Sequence, residues 1–306
     1  MSTVLVTGSS GMLGKHVSNF LEIRKTNLVR HNRKMCDLTK FDEVSAMFQK
    51  YKPSTVIHCA ALVGGIKANR DSQGLFFTKN VQIDMNVLQN AQLFGVEKLL
   101  YIGSSCMYPS NVLRPLKIED LNSGPLESTN LDYALAKLAG SQYVKSVALE
   151  TGLPWRTFIA SNLYGPFDNF ERDKSHLIAS IILKIVSNHK SGENELVIWG
   201  NGKPKREFTF VVDFANWIVE VMPHLNLLPP IMNVGIGIDY SVREYYEIAL
   251  KVAGLKMNLV YEESLPNGTT RKLMDSSIAR SHGWNPKTSI ETGLSQTMDW
   301  FKKNVA

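Results

Sequence analysis

The chain has 306 residues, 44% of them hydrophobic and 20% charged, with a formal net charge of +6 at pH 7. This composition is ordinary for a soluble globular protein, and the length predicts one large domain or two closely joined ones. No apolar run approaches the roughly 18 residues that span a bilayer. We expect no cleavable leader, because residues 3–8 already have a strand pattern. The lysines and arginines are scattered, so no basic run indicates nucleic-acid binding. The modest positive charge suits an anionic ligand.

The first half of the chain alternates strand-like and helix-like segments. Residues 3–8 (TVLVTG) form a β-branched run that a glycine ends, and residues 15–24 follow with helical apolar spacing. The alternation continues with strand 27–32, helix 41–51, strand 54–62, helix 80–95, strand 97–105, helix 133–152 and strand 155–165. Such alternation predicts an α/β fold with a Rossmann-type, doubly wound parallel sheet.

The alternation stops after Gly165. Helical residues 176–189, a strand and turn at 195–202 and a helix at 241–254 predict a smaller lobe over the carboxyl edge of the sheet. Residues 208–222 return the chain to the first lobe. We therefore predict a dinucleotide-binding domain over residues 1–164, with a return near 206–234. The substrate-binding lobe would comprise residues 165–205 and 235–306.

A glycine-rich turn joins the first predicted strand to the first helix. Gly8, Gly11 and Gly14 have GxxGxxG spacing, with Met12 between them. Glycines placed so allow a tight turn, close approach of backbone to a pyrophosphate, and a helix amino end facing its charge. We predict that these four residues bind a dinucleotide; a plain glycine-rich turn is the alternative.

The residues after the second strand favour NADP(H) over NAD. Residues 30–34 include two arginines, a histidine and a lysine, and no carboxylate precedes Asp37. An acidic residue would bind the ribose 2′-hydroxyl of NAD, whereas an arginine accommodates a 2′-phosphate. We choose Arg33 for the phosphate and expect Asp37 and Leu38 near the adenine. Any one of these charges could instead be a solvated loop residue.

Tyr133 and Lys137 lie four residues apart on a predicted helix and so share one face. A nearby ammonium would lower the pKa of a tyrosine toward the range needed for acid–base catalysis. Lys137 could also hold the nicotinamide ribose. Ser104, at the end of the preceding strand, could donate its hydroxyl to a substrate carbonyl. Together these residues predict a reductase.

At these residues the chain resembles the extended short-chain dehydrogenase/reductases and, more closely, the GDP-L-fucose synthase family. The similar segments, in the same order, are AALVGGIKAN (60–69), GSSCMYP (103–109), DYALAKLAG (132–140), NLYGPFDNF (162–170), SHLIAS (175–180), WGNGKPKREF (199–208) and RKLMD (271–275). The resemblance extends from Val4 to about Trp300. It implies NADP(H), a GDP-linked 4-keto-6-deoxy sugar as substrate, and a homodimer formed by helices of the Rossmann lobe.

The resemblance also implies roles for Cys106 and His176. A ketone at C4 acidifies the protons on C3 and C5, and inverting both centres requires two groups that exchange protons near neutral pH. The family implies Cys106 as base and His176 as acid, with reduction at C4 completed by Ser104 and Tyr133. A small buried hydrophobic residue is the alternative for Cys106.

Substrate contacts carried over from the family are Asn162, Lys184, Trp199, Arg206 and Lys272. The chain departs from the family at Phe167, where a histidine is usual, at Ala160–Ser161 and at Val212. We expect these departures to border the sugar pocket, which leaves the exact sugar open. The alternative function is a 4-keto reductase, with or without epimerisation, acting on a related GDP-4-keto-deoxy sugar such as a dideoxyhexose or heptose.

Other classes of function fit less well. An NAD-retaining 4-epimerase would need neither the basic residues after the second strand nor a Cys/His pair. A dehydratase needs an acidic pair where Ser105 and Cys106 stand, and a nucleotide sensor would not need an intact Ser-Tyr-Lys set. The three cysteines leave at least one thiol unpaired, so we expect free thiols and a reducing, cytoplasmic location. We predict no metal, nucleic-acid or membrane partner.

Overall fold

The computed structural model describes residues 2–172, 174–265 and 268–306. The strands in these ranges are β1 (Thr3–Thr7), β2 (Asn27–Arg30), β3 (Thr55–His58), β4 (Lys98–Ser104), β5 (Trp155–Ala160), β6 (Asn162–Tyr164), β7 (Glu195–Trp199), β8 (Lys205–Arg206), β9 (Phe208–Phe210), β10 (Ile231–Val234), β11 (Tyr240–Ser241), β12 (Asn258–Glu262) and β13 (Arg271–Lys272). The helices are α1 (Met12–Ile23), α2 (Phe41–Tyr51), α3 (Ile66–Asp71), α4 (Gln73–Leu93), α5 (Leu131–Thr151), α6 (Leu177–Ser191), α7 (Val211–Val221), α8 (Val242–Ala253), α9 (Ser277–Ser281) and α10 (Ile290–Asn304).

Six strands form one parallel sheet in the order β10-β5-β4-β3-β1-β2. Leu5 of β1 lies opposite Val29 of β2 on one side and Val56 of β3 on the other. The chain therefore moves outward in one direction to β2 and in the other from β3 to β10. Ligands of such sheets bind at the carboxyl ends of the strands beside this reversal. The predicted Rossmann-type doubly wound sheet is confirmed.

Apolar side chains cover both faces of the sheet. Val4 and Val6 face one side and pack with α1 and α7, whereas Leu5 faces the other side and packs with α2, α4 and α5. This alternation follows from the two-residue repeat of a strand. None of the helices in the described ranges is long and apolar enough to cross a bilayer.

Two predicted strands are shorter than expected. After the first of them, backbone N–H groups donate to side chains and not to a neighbouring strand. Beyond His58, the N–H groups of Ala60 and Leu62 donate to the side chains of Thr7 and Asn80, 3.2 and 2.8 Å away. The segment after β3 is therefore a loop. The predicted strand 155–165 divides at Ser161, and β6 leaves the main sheet to pair with β9.

A smaller group of elements stands at the carboxyl edge of the sheet. β7 pairs with β12, and β8 lies between β11 and β13. Ile182 of α6, Tyr245 of α8 and Leu294 of α10 share its core. Lys272 on β13 reaches Cys106, which follows β4 directly, so this group faces the ends of the sheet strands.

The return of the chain to the sheet runs through β9, α7 and β10. α7 packs against α1, and β10 completes the sheet beside β5. Ala279 and Trp284, which follow the smaller group of strands in the chain, pack in the same core as Phe214 and Trp217 of α7. The division at residues 164, 205 and 234 stays a prediction.

Candidate active site

The backbone between β1 and α1 can pack as closely as it does only because two of the residues there are glycines. Gly8 has a φ of +65°, and a Cβ there would lie 2.8 Å from the Ala60 Cα. A Cβ on Gly14 would lie 2.3 Å from the Gly8 carbonyl oxygen. α1 begins at Met12, with Gly11 as its N-cap, so its unpaired N–H groups face this turn. These residues fit the pyrophosphate of a dinucleotide.

The basic residues after β2 have different environments. Arg30 pairs with Glu22 at 2.7 Å. His31 is buried, and its Nδ1 accepts a hydrogen bond from the Gly8 N–H at 3.4 Å. Arg33 is exposed and forms no ion pair with any residue in the described ranges. Arg33 is therefore available for a 2′-phosphate, whereas Arg30 and His31 have structural partners.

The two residues predicted near the adenine form a fixed corner before α2. The Asp37 carboxylate accepts hydrogen bonds from the backbone N–H and the hydroxyl of Thr39, and these bonds lower the pKa of Asp37. Leu38 is buried, and its carbonyl accepts a hydrogen bond from Asn86 at 2.9 Å. The side chain of Leu38 thus belongs to the core of the domain.

Ser104 and Tyr133 meet at the carboxyl end of β4. Ser104 caps the short 3₁₀ helix Ser105–Met107, and its Oγ accepts a hydrogen bond from the Cys106 N–H at 3.2 Å. Tyr133, in the first turn of α5, is hydrogen-bonded to the Ser104 side chain. The two hydroxyls are therefore close enough to act on one carbonyl oxygen.

The structure corrects the predicted lowering of the Tyr133 pKa. Burial raises this pKa far above its ordinary value, the charges of Cys106 and Asp84 raise it further, and the hydrogen bond to Ser104 opposes them. The Lys137 ammonium lies against Asp84, which offsets its charge. Tyr133 is accordingly a phenol that holds its proton, as a proton donor to a ketone oxygen must.

Lys137 belongs to a buried polar cluster that the sequence analysis did not identify. Its Nζ lies 3.4 Å from each carboxylate oxygen of Asp84, and the Nε2 of His58 lies 3.0 Å from Oδ1. Tyr101 donates its hydroxyl proton to Oδ2 of the same carboxylate. Two features of the sequence could have indicated this cluster: a histidine at the end of a buried strand and a carboxylate within the next long helix.

Cys106 lies between two cationic side chains. The Nζ of Lys272 is 3.7 Å from its Sγ, and Lys272 itself is buried. Burial lowers the pKa of Arg206, and the neighbouring Cys106 thiol acts in the opposite direction. Positive charges beside a sulfur stabilise its thiolate form, which is the form that removes protons. The ammonium of Lys272 is therefore placed to interact with the Cys106 sulfur.

His176 is the N-cap residue of α6 and is half-buried, and burial lowers the pKa of its ring. The turn before it meets the loop before α3, where Gly65 donates its N–H to the Lys174 carbonyl at 3.1 Å. A Cβ on Gly65 would lie 2.7 Å from the Ser175 carbonyl oxygen. The tight contact fixes the start of α6. The pairing of His176 with Cys106 stays a prediction.

Arg206 and Lys272 lie side by side on the paired strands β8 and β13. Arg206 donates to the Thr269 carbonyl at 2.5 Å and to the Lys205 carbonyl at 2.8 Å. Asn162 donates to the Glu207 carbonyl at 3.0 Å, and Glu207 follows Arg206 directly in the chain. These three predicted substrate residues therefore surround one region.

Lys184 and Trp199 are associated with β7 instead. Lys184 donates to the Val197 carbonyl at 2.7 Å and to the Tyr246 hydroxyl at 3.2 Å. Burial lowers the pKa of Lys184. Trp199 ends β7 and is 42% exposed. An exposed aromatic ring suits a nucleotide base, and an ammonium suits a phosphate.

Phe167 packs between the helices α1 and α10. Its ring lies 4.0 Å from the Lys15 Nζ and 4.9 Å from the Trp300 ring centroid, and its φ is +69°. The hydroxyl of Ser161, another departure from the family, bonds to Thr209 at 2.6 Å. Val212 packs against apolar cores on both sides. Contacts within the protein therefore explain why these residue types occur here, and no contact with a sugar is needed to explain them.

No group of three or more histidine, cysteine, aspartate or glutamate residues in the described part of the chain could hold a metal ion. Its titratable clusters are instead the hydrogen-bonded group around Asp84 and the thiol with its two cations. In both clusters, charged side chains of the protein balance one another.

Comparisons with known sequences agree with this geometry. GDP-L-fucose synthase 1 of Arabidopsis thaliana is 39% identical over 303 residues, which cover 99% of this chain and 94% of that protein. GDP-L-colitose synthase of Yersinia pseudotuberculosis is 36% identical over 299 residues, or 97% of each chain. The resemblance to the GDP-L-fucose synthases is therefore confirmed along nearly the whole chain.

Two solved structures are similar at the level of the whole fold. A GDP-6-OMe-4-keto-L-xylo-heptose reductase from C. jejuni has a TM-score of 0.92 at 29% identity, covering 99% of this chain and 98% of that one. A GDP-L-fucose synthetase from Naegleria fowleri bound to NADP has a TM-score of 0.87 at 26% identity, covering 99% and 93%. The model of the NAD dependent epimerase/dehydratase family matches residues 4–235. The chain belongs to this family.

Proposed function

We propose that this protein converts GDP-4-keto-6-deoxy-D-mannose to GDP-L-fucose with NADPH, by epimerisation at C3 and C5 followed by reduction of the C4 ketone. The observation that carries the proposal is the contact between Lys272 and Cys106, 3.7 Å apart, beside the Ser104 and Tyr133 hydroxyls. A reductase that only delivers hydride needs the two hydroxyls but no activated thiol. The combination supports a protein that also exchanges protons.

Epimerisation begins with the Cys106 thiolate, which removes a proton from the carbon next to the ketone. Ser104 and Tyr133 donate hydrogen bonds to the C4 oxygen and stabilise the enolate that forms. A protonated His176 ring returns a proton from the other face, which inverts the centre; burial lowers the pKa of this ring, so it gives up its proton readily. The ketone that re-forms has the inverted configuration. Reduction at C4 then prevents a further inversion, because the neighbouring proton is no longer acidified. The same pair acts at the second carbon once Cys106 has released its proton to solvent and His176 has taken up another.

Reduction uses the other half of the site. NADPH, when bound, supplies a hydride for C4. Tyr133 gives its proton to the oxygen, and Ser104 holds that oxygen in place. Because burial keeps Tyr133 protonated, the phenol is ready to donate. Lys137 would hold the nicotinamide ribose, and Tyr133 would regain its proton from solvent.

The turn formed by Gly8, Gly11, Met12 and Gly14 would hold the pyrophosphate of NADP(H), and Arg33 would bind its 2′-phosphate. Arg206, Lys272 and Asn162 would bind the diphosphate and the sugar. Lys184 and Trp199 would bind the GDP end, on β7. The glycine turn follows the carboxyl end of β1, and ligands of such sheets bind at the carboxyl ends of the strands.

A second candidate is a 4-keto reductase for a related GDP-linked sugar. It is favoured by the similarity to a heptose reductase and to a colitose synthase. Such an enzyme would keep Ser104, Tyr133 and Lys137 but would not exchange the protons on both neighbouring carbons.

Product analysis in heavy water separates these candidates. The purified protein is incubated with GDP-4-keto-6-deoxy-D-mannose, with and without NADPH. We expect deuterium at C3 and C5 and, with NADPH, GDP-L-fucose. In Cys106→Ser the exchange should fall by about a hundredfold or more, because a serine hydroxyl is too weak an acid to replace the thiol. NADPH binding should not change.

An unepimerised reduced sugar from the wild-type protein would show that the chain is a pure 4-keto reductase. Deuterium uptake at the wild-type rate in Cys106→Ser would contradict the role of the thiol. Oxidation of NADPH without any keto sugar would contradict both candidates.

We further propose a homodimer in the cytoplasm. Leu75 and Leu93 lie eighteen residues apart on α4, and Leu135 and Leu149 lie fourteen apart on α5, so each pair shares a helix face. All four side chains are exposed, and the two helices pack against each other. Association through this face would cover an apolar surface. Three free thiols support the reducing location.

A further inference from the structure

The Asp84 carboxylate is the centre of the buried cluster around Lys137. Asp84, His58 and Tyr101 are fully buried, and Lys137 is 3% exposed. Lys137 lies 3.4 Å from both carboxylate oxygens, His58 lies 3.0 Å from Oδ1, and Tyr101 donates to Oδ2. Each carboxylate oxygen therefore has two hydrogen-bond or ion-pair partners, which compensate the negative charge of Asp84.

Four different elements deliver these groups. Asp84 is on α4 and Lys137 is on α5, whereas His58 ends β3 and Tyr101 is on β4. Gly140, three residues after Lys137, lets Tyr101 reach the carboxylate. A Cβ at Gly140 would clash with the Tyr101 hydroxyl. The small residue in the motif AKLAG thus has a direct use in the cluster.

The cluster continues to the dinucleotide turn. The His58 Nδ1 lies 2.6 Å from the Thr7 hydroxyl, and that hydroxyl accepts the Ala60 N–H at 3.2 Å. Burial lowers the pKa of His58, so its ring is neutral and donates from Nε2 to Asp84. The Thr7 hydroxyl then donates to Nδ1. Since Thr7 precedes Gly8 directly, one chain of hydrogen bonds links the turn to Lys137.

Charge balance explains the arrangement. Burial opposes the charge on Asp84, but Lys137 and the hydrogen bonds from His58 and Tyr101 together hold the pKa of this carboxyl below its ordinary value. One anion and one cation therefore share a buried site. A buried ammonium without such a partner is strongly unfavourable.

We propose that Asp84 is the positioning residue for Lys137: its carboxylate fixes the ammonium between the cofactor ribose and Tyr133. The inference rests on the proposed reductase function for its kinetic consequences. The chain of hydrogen bonds to Thr7 ties the same ammonium to the turn that binds the dinucleotide. Loss of the carboxylate should therefore affect the cofactor before it affects the sugar.

The other titratable groups around the pair stay neutral near pH 7. His58 is neutral because of burial, and burial raises the pKa of Cys59 to about 12. Burial also raises the pKa values of Tyr101 and Tyr133. A change of activity on the alkaline side below about pH 9 would then report the ion pair, since all of these groups keep their protons there.

The test measures the kinetics of Asp84→Asn between pH 6 and pH 10. We expect the KM for NADPH to rise about tenfold and the alkaline limb of kcat/KM to move down by about one pH unit, because the ammonium has lost its counter-charge. The KM for the keto sugar should change less than twofold. Asp84→Glu, which keeps the charge, should restore most of the pH profile.

Asp120→Asn is the matched control. Asp120 is 6% exposed and pairs with Arg114 at 2.6 Å, outside the proposed site. Its loss should lower stability without moving the pH profile or the KM for NADPH. An unchanged alkaline limb and an unchanged KM for NADPH in folded Asp84→Asn would overturn the proposal.

A second measurement needs no turnover and so stands if the keto sugar is not the substrate. Urea unfolding of wild type, Asp84→Asn, Lys137→Met and the double variant gives the coupling between the two charges. We expect the double variant to be more stable than Asp84→Asn alone, since it contains no unpaired buried ion. If Asp84→Asn does not fold, the double variant should. Additive losses, or a double variant that is equally unfolded, would overturn the proposal.

Discussion

Single residues decide which cofactor and which proton donor the site can use. Arg33 is exposed while Arg30 is paired with Glu22, so only one of the two arginines can turn to a phosphate without losing a partner. Cys106 differs in the same way from the other thiols, because Lys272 stands beside its sulfur. Both differences can be measured on the purified protein.

Replacing Arg33 with alanine should weaken NADPH by about tenfold or more and leave NADH nearly unchanged. The physical reason is that an arginine binds a phosphate through charge-assisted hydrogen bonds, and NADH lacks the 2′-phosphate. Fluorescence titration with each cofactor measures the effect, with Arg24→Ala as the exposed control. Equal losses for the two cofactors would show that Arg33 does not bind the 2′-phosphate.

Alkylation at pH 7.5 should modify Cys106 before the other cysteines. Burial raises the pKa of Cys36 to about 11 and that of Cys59 to about 12, so both stay protonated and unreactive. Lys272→Met should slow the labelling of Cys106 by roughly threefold to tenfold, because the thiolate loses a neighbouring cation. Mass spectrometry after iodoacetamide gives each rate. Unchanged labelling in Lys272→Met would remove the main support for an activated thiol.

Among the secondary-structure elements, α4 and α5 have two roles. Their inner faces provide Asp84 and Lys137 to the buried cluster, and their outer faces expose Leu93 and Leu149, at 68% and 69%. An apolar outer face on a helix pair is unfavourable in water unless a partner covers it. The same two helices would thus support both the catalytic lysine and the subunit contact.

Leu149→Glu should shift the protein from dimer to monomer, because the charge would be buried in the contact. Sedimentation velocity at micromolar concentration measures the mass. Ile23→Glu is the control, since Ile23 is 75% exposed on α1, away from this face. A wild-type monomer, or a dimer that survives Leu149→Glu, would contradict the proposed contact.

At the scale of the whole molecule, Glu207 joins the sheet to the smaller group of strands. Its carboxylate accepts the N–H of Gly237, which follows β10, and that of Met274, which follows β13. The side chain is 1% exposed, and burial raises its pKa to about 7. The protonated form is therefore favoured by folding, and the contribution of Glu207 to stability falls as the pH rises from about 4.5 to about 7.

Comparing Glu207→Gln with the wild type should reveal this pH dependence, because glutamine stays neutral at every pH. We expect the free energy of unfolding of the variant relative to wild type to rise by roughly 3 kcal/mol between pH 4.5 and pH 7, and then to stay level. Urea unfolding at several pH values measures it. A difference that does not depend on pH would show that the pKa of Glu207 is the same in the folded and the unfolded protein.

The sequence by itself determined the parallel sheet, the glycine turn and the Ser-Tyr-Lys set. Each of these depends on local patterns: alternating elements, glycine spacing before a helix, and a four-residue repeat on one helix face. Sequence spacing also placed Ser104 at a strand end, and in the structure its side chain meets that of Tyr133. The resemblance to a known family added Cys106 and Lys272, which the structure brings into contact.

Only the tertiary structure decided what surrounds these groups. Asp84 lies 53 positions from Lys137, and His58 lies 26 positions from Asp84, so no local pattern could pair them. The expected lowering of the Tyr133 pKa was wrong for the same reason, because burial and the carboxylate on α4 outweigh a lysine one turn away. Desolvation depends on every element packed around a group, and this packing is set by contacts distant in sequence.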